Sequence, residues 1–334
     1  VLILLKQSFN YLLICLESLI FADKLQQLGG FSAYVLPIKN NMATRLKTHS
    51  LRCTVAVSNN KGGAGKTSTV LNLASAIARR IEGYRVLVID CDPQRNLSYF
   101  LGWEDQLELF GNPTVYTSLC IEQQGLPVYK AENGVYFSPA SVKLNGIDAI
   151  LNMRPDSSDA LKEILQRPIQ DCGSIIFNDE ANEHQVVKTG TTLPSSLQEA
   201  FDFVFIDTQP AMSRMTYNAF YAADGYIIPT ELEEACVKGM ANIAVAASKV
   251  DGGRGTFKCH GILITKLDAQ LRSAKLYEPQ IRESFSETFK TAIRRSKDVI
   301  ESQALREDVF TSYGGGRAAE DYTALATEYL KKYA

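Results

Sequence analysis

From Cys53 onward, short apolar runs rich in valine and isoleucine alternate with longer segments in which apolar residues recur every three to four positions. A short, unbroken apolar run reads as a strand buried on both faces, and the longer periodic segments read as the helices that cover such strands. The pattern predicts strands at Thr54–Ser58, Arg85–Asp90, Val135–Ser138, Phe203–Asp207, Tyr226–Pro229 and His260–Thr265. Helices are predicted at Lys66–Ile81, Ser213–Ala223, Glu234–Val250, Leu271–Arg294 and Arg317–Lys332. Strands that alternate with helices pair in parallel through crossovers, so the expected fold is α/β, a doubly wound and mostly parallel sheet with helices on both faces. No internal repeat is visible, which counts against two tandem sites in one chain.

The rhythm breaks in two places. Residues 166–196 carry Pro168, Gly173, Gly190, Pro194 and a polar, acidic stretch, and read as a surface excursion. Val1–Ala22 is rich in Leu, Ile and Phe, but Lys6, Gln7, Asn10 and Glu17 interrupt it before it reaches the roughly 20 apolar residues of a membrane span. It also lacks the continuous apolar stretch and cleavage site of a secretory signal. Residues 1–41 are therefore expected to be upstream sequence or a short amphipathic appendage, with a membrane- or partner-binding helix as the alternative. Residues 42–334 are expected to form a single domain.

Composition narrows the chemistry. Apolar residues make up 46% and charged residues 22%, ordinary for a chain that buries a full core. With a net charge of -2, contact with nucleic acid would have to come from a local patch. The seven cysteines form no C-x-x-C pair and the three histidines are scattered, so reduced thiols and no metal site built from protein ligands alone are expected.

The densest chemical signal follows the first strand. Asn60-Lys61-Gly62-Gly63-Ala64-Gly65-Lys66-Thr67-Ser68 joins that strand to a helix, the setting a phosphate loop requires. Glycines let successive backbone N–H groups curl around phosphate oxygens, and the helix N-terminus adds partial positive charge. Lys66 is placed to reach the β- and γ-phosphates and Thr67 to hold Mg²⁺. Asn60 replaces the usual first glycine, and a second lysine, Lys61, opens the loop. In this it resembles the deviant Walker A family, K-G-G-x-G-K-[ST], which includes the ParA partition proteins, MinD, arsenite-pump ATPases and the nitrogenase iron protein. In that family the extra lysine reaches the phosphates of the partner subunit, so the resemblance implies a nucleotide-dependent homodimer in which Lys61, Lys66 and Asp92 serve catalysis.

Two acidic strand ends agree. Val86–Gln94 ends in Asp90-Cys91-Asp92-Pro93-Gln94, similar to the family's D-x-D-P-Q segment, with Arg95 where the family usually has glycine. Carboxylates at such a strand end can orient an attacking water and respond to the γ-phosphate. Asp92 is assigned to the water, and Asp90 to the switch segment and the outer coordination of the metal. Phe203–Asp207 reads as a Walker B strand whose Asp207 accepts from the water shell of Mg²⁺, and a single proline, Pro210, stands where the family commonly has two. Similarity of Gly261–Asp268 to the family's base-side strand makes Thr265 and Lys266 candidates for contact with adenine.

Within the family, the missing repeat and the lack of paired cysteines argue against the pump and the iron–sulfur carriers. The C-terminal segment resembles the packed closing helix of ParA and not the basic membrane-docking end of MinD. ParA proteins bind DNA without sequence preference, and the basic residues of the segment at 271–298 supply the candidates here: Arg272, Lys290, Arg294 and Arg295. The resemblance implies slow ATP hydrolysis with Mg²⁺, nonspecific DNA as a partner, a ParB-like or other stimulating protein, and a cytoplasmic, nucleoid-associated location. A MinD-like membrane switch and a protein-array positioning ATPase are the alternatives.

Overall fold

The computed structural model describes residues 52–80, 84–109, 111–120, 125–153, 158–166, 176–178, 184–186 and 197–333. Its central sheet is built from β1 (Cys53–Val57), β2 (Val86–Cys91), β3 (Tyr129–Lys130), β4 (Tyr136–Ser138), β7 (Phe203–Thr208), β8 (Gly225–Thr230) and β9 (Lys258–Ile264). A separate antiparallel pair is formed by β5 (Ile176–Asn178) and β6 (His184–Val186). The order in the sheet is β3-β4-β2-β7-β1-β8-β9, with every neighbouring pair parallel except β3 and β4. Each predicted strand is present within two residues of its expected bounds. The pattern does not predict β3, because two residues carry no period to read. The appendage expected at 1–41 lies outside the described residues, as does most of the excursion expected at 166–196, of which β5 and β6 are described.

The main helices are α1 (Lys66–Arg80), α2 (Arg214–Ala222), α3 (Glu234–Asp251), α4 (Arg272–Ser284), α5 (Lys297–Ala304) and α6 (Arg317–Tyr333). Strand alternation sends successive side chains to opposite faces, and both faces are covered. Phe203 and Phe205 of β7 pack with α1 and with Tyr322 and Tyr329 of α6, whereas Val204 and Ile206 pack on the other face with Phe220 of α2 and Ile243 of α3. The doubly wound sheet expected from the sequence is therefore the observed fold. Because β2 and β7 lie on one side of β1 and β8 and β9 on the other, the chain switches direction at β1. In open parallel sheets that switch opens a crevice at the carboxyl ends of the strands.

One predicted helix is corrected. The segment expected to be helical from Leu271 to Arg294 is helical only to Ser284, and Phe285 is already extended. Beyond it the chain runs along the open edge of β9, with Phe289 N–H donating to Ile262 O at 3.0 Å and Ile293 N–H to Ile264 O at 2.8 Å. Phe289 and Ile293 are buried. A spacing of four suits one face of a helix and one face of a strand alike, and the unpaired edge of β9 decided between them.

Candidate functional site

β1 carries the chain to the crevice, and Ser58 and Asn59 turn it into the glycine-rich loop. Gly63 and Gly65 have φ of 77° and 92°, a region that side chains other than glycine enter only with strain. A Cβ at Gly65 would also meet Thr265 Cγ2 at 3.3 Å. The loop is braced from β8 and from the residues that follow β9. Asn59 Nδ2 donates to Pro229 O at 2.6 Å while its Oδ1 accepts from Lys61 N–H at 3.0 Å. Thr265 Oγ1 donates to Ala64 O at 2.9 Å, and Lys266 Nζ to Gly63 O at 2.7 Å. Lys66, the first residue of α1, is buried, and its ammonium donates to Lys61 O at 3.1 Å. Burial lowers its pKa, against the pull of the Asp207 and Asp92 carboxylates.

The parallel register pairs Asp90 of β2 with Asp207 of β7. Thr67 Oγ1 donates to Asp207 Oδ2 at 2.7 Å. Asp207 Oδ1 is buried and has no hydrogen-bond partner. Burial first, then the Asp90 charge, pushes the Asp207 carboxyl well above the usual carboxylate range, while Thr67 and Lys66 oppose the shift. A hydroxyl oxygen beside a carboxylate with one oxygen still unmet is a donor set that fits a hard divalent cation such as Mg²⁺. Asp90 has a different role. Its Oδ1 accepts from Asp92 N–H at 3.0 Å, and its Oδ2 from Ser98 N–H at 2.8 Å and Ser98 Oγ–H at 2.6 Å. Burial raises its pKa to about 6. Asp90 thus holds the turn that presents Asp92, whose Oδ1 accepts from Gln94 N–H at 2.9 Å.

The predicted phosphate-loop residues, Asp92 and Asp207 come together at one end of the sheet. Thr265 and Lys266 come there as well, but as braces: the Thr265 hydroxyl also reaches Thr230 O, and the Lys266 ammonium also pairs with Glu231 at 3.0 Å. Lys61 points to its own subunit's Glu233, 2.6 Å away, and that contact raises its pKa. Among the DNA candidates, Arg272, Lys290 and Arg295 are exposed. Arg294 differs, its guanidinium lying 2.7 Å from Asp321 and 3.0 Å from Glu320 of α6. Sequence reasoning missed Asn59, Glu233 and Gln303, whose Nε2 donates to Ser68 Oγ at 2.7 Å. Only the position of Asn59 directly before the loop offered a signal for any of them.

Among the described residues no helix is long and apolar enough to cross a membrane. Residues 55–309 match the profile of the CobQ/CobB/MinD/ParA nucleotide binding domain. The chromosome-partitioning ATPase Soj of Thermus thermophilus is 28% identical over 287 residues, covering 83% of this chain and 95% of Soj. Among solved structures, the ATP complex of an McdA variant from Cyanothece superposes with a TM-score of 0.65 at 20% identity, over 85% of this chain and 97% of McdA. Cobyrinic acid a,c-diamide synthase from Mycobacterium smegmatis, with an ATP analog and magnesium bound, gives a TM-score of 0.59 at 23% identity, over 83% and 94% of the two chains. At these identities the two structures bear on the fold alone.

Proposed function

Because the chain belongs to the CobQ/CobB/MinD/ParA nucleotide-binding family, we propose that it is a MgATP-dependent ATPase that dimerises on nucleotide and partitions or positions DNA with a stimulating protein partner. The observation that carries the ATPase reading is the convergence of a braced phosphate loop, the buried Lys66 ammonium and the half-satisfied Asp207 beside Thr67. In that reading the loop N–H groups and Lys66 bind the phosphates, Thr67 and Asp207 hold Mg²⁺, and Asp92 orients the water. The metal, when bound, would screen charge on the β- and γ-phosphate oxygens. Asp90 fixes the Asp92 turn, and a partner that settles that turn would raise a slow basal rate. Thr265 and Lys266 brace the phosphate loop and, in this reading, stand beside the adenine.

The DNA reading is supported by the relationship to Soj, a chromosome-partitioning ATPase, and by the exposed cations Arg272, Lys290 and Arg295. The apolar face of α6 is committed to the core through Tyr322, Leu325, Ala326 and Tyr329, which leaves it unavailable for a membrane-docking role. The test is binding of the full chain to nonspecific duplex DNA with ATP, with ADP and without nucleotide across a salt series. Binding is expected only with ATP and should weaken steeply with salt. The double change Arg272→Glu and Arg295→Glu should weaken it by at least about tenfold. Arg294→Glu, which removes the guanidinium from Asp321 and Glu320 and sets a third carboxylate beside them, should instead lower the melting temperature. If no nucleotide state binds DNA, the cargo is a membrane or a protein assembly.

A further inference from the structure

Beside the turn that carries Asp92 lies a cavity of about 470 Å³ whose walls include Arg95, Tyr99, Trp103, Glu104, Asp105 and Arg306. Its two arginines, Arg95 at φ 58° and Arg306 at φ 60°, are two of the three non-glycine residues with left-handed backbone among the described residues. Long side chains there carry strain that glycine would avoid, and strain of this kind concentrates at functional positions. Arg95 Nε and the indole Nε1 of Trp103 are both buried without a hydrogen-bond partner. Both groups can only donate, so the cavity wall holds two donors that lack an acceptor. The remaining guanidinium contacts are exchangeable. Arg95 pairs with Asp105 and Arg306 lies 3.5 Å from Glu104, and the two carboxylate side chains are 69% and 56% exposed. Exposed pairs of this sort contribute little.

The wall chemistry also identifies the kind of ligand. Arg306 lies over the Tyr99 ring, 3.9 Å from its centroid, and Tyr99 is 42% exposed. The short helix Asp105–Leu109 buries none of its side chains, and its Leu109 is 84% exposed. Tyrosine, tryptophan and arginine are the side chains that dominate protein-binding hot spots. We infer that this cavity docks a protein segment bearing an aspartate or glutamate, whose carboxylate accepts from the Arg95 and Arg306 guanidiniums in place of the exposed Asp105 and Glu104. Its walls lead to the nucleotide site by two routes: Gln94 N–H bonds Asp92, and Gln303, three residues before Arg306, bonds Ser68 of α1. That the docked segment belongs to the stimulating partner rests on the ATPase reading above, whereas docking itself does not.

Trp103 is the only tryptophan in the chain and lines this cavity, so its emission is a probe of docking there. A blocked pentapeptide with a central glutamate, its glutamine counterpart and inorganic phosphate are titrated into the full chain without nucleotide. The glutamate peptide should give a saturable change in emission, and the glutamine peptide should bind at least about tenfold more weakly. Arg95→Gly and Arg306→Gly both suit left-handed backbone, so each variant should melt no lower than the wild type while losing about tenfold or more in affinity for the glutamate peptide. The inference is overturned by equal binding of the two peptides, by phosphate binding as tightly as the glutamate peptide, by unchanged affinity in both variants, or by no response at all. A second copy of the chain found to fill the cavity, seen as a dimer without nucleotide that the peptide does not dissociate, would overturn it too.

Discussion

Asp207 is buried among carboxylates, with one oxygen on Thr67 and the other on nothing. Desolvation and the Asp90 charge favour its protonated form, so the ionised group is destabilising in the folded chain until a bound cation offsets it. Asp207→Asn removes that penalty together with the cation's acceptor. The variant should melt at or above the wild-type temperature without ligand, fail to gain stability from MgATP, and lose on the order of 100-fold or more in Mg²⁺-dependent ATP hydrolysis. Thermal melts with and without MgATP, read beside the hydrolysis rate, check all three. A variant that still gains the full MgATP shift would remove Asp207 from the metal site.

Among the elements, α6 ties the C-terminus to the far end of the sheet. Tyr329 is fully buried, and its hydroxyl lies 3.2 Å from Cys53 Sγ on β1 and 3.1 Å from His260 Nδ1 on β9. The His260 ring stacks on Tyr333 at 3.9 Å. Burial, with the Lys332 charge added, lowers the His260 pKa to about 4. An unfolded chain would protonate this histidine near pH 6.5, so the neutral ring contributes stability that is present above that pH and is lost as the pH falls toward 4. The loss should amount to about 3 kcal/mol over that range, about 2 kcal/mol of it between pH 7 and pH 5. Urea unfolding at pH 7 and pH 5 should show a larger fall for the wild type than for His260→Gln, and the comparison cancels the carboxylates common to both proteins. Equal falls would mean that the ring titrates normally.

At the scale of the whole molecule, the proposed dimerisation turns on Lys61. Lys61 is held 2.6 Å from its own Glu233, in a pair whose side chains are 30% and 55% exposed. If Lys61 reaches a partner subunit's phosphates, as the family resemblance implies, this contact must first open. An exposed pair is worth about 1 kcal/mol or less, so opening it opposes assembly only slightly. Each subunit opens one such pair, so Glu233→Gln should tighten the ATP-dependent dimer by up to about 30-fold, whereas Lys61→Ala should abolish it and leave nucleotide binding by the monomer intact. Sedimentation velocity with ATP separates these outcomes, and unchanged dimerisation in both variants would show that Lys61 does not act across an interface.

Much of this was readable from the chain alone. The glycine-rich run ending in Lys66 and Thr67, and the two apolar runs ending in Asp90 and Asp207, are local patterns, and local patterns survive without coordinates because backbone sterics and burial act on neighbours in sequence. The same holds for α1, α2, α3 and α6, each of which lies within two residues of its predicted bounds. Contacts between distant segments were not readable. Strand register set Asp90 beside Asp207, the free edge of β9 drew Phe289 and Ile293 out of a helix, and folding put Glu233 in reach of Lys61 and Arg306 across a cavity from Arg95. In each case the deciding partner is remote in sequence, and hydrogen bonds and charges act over a few ångströms of space, which only the packed chain defines.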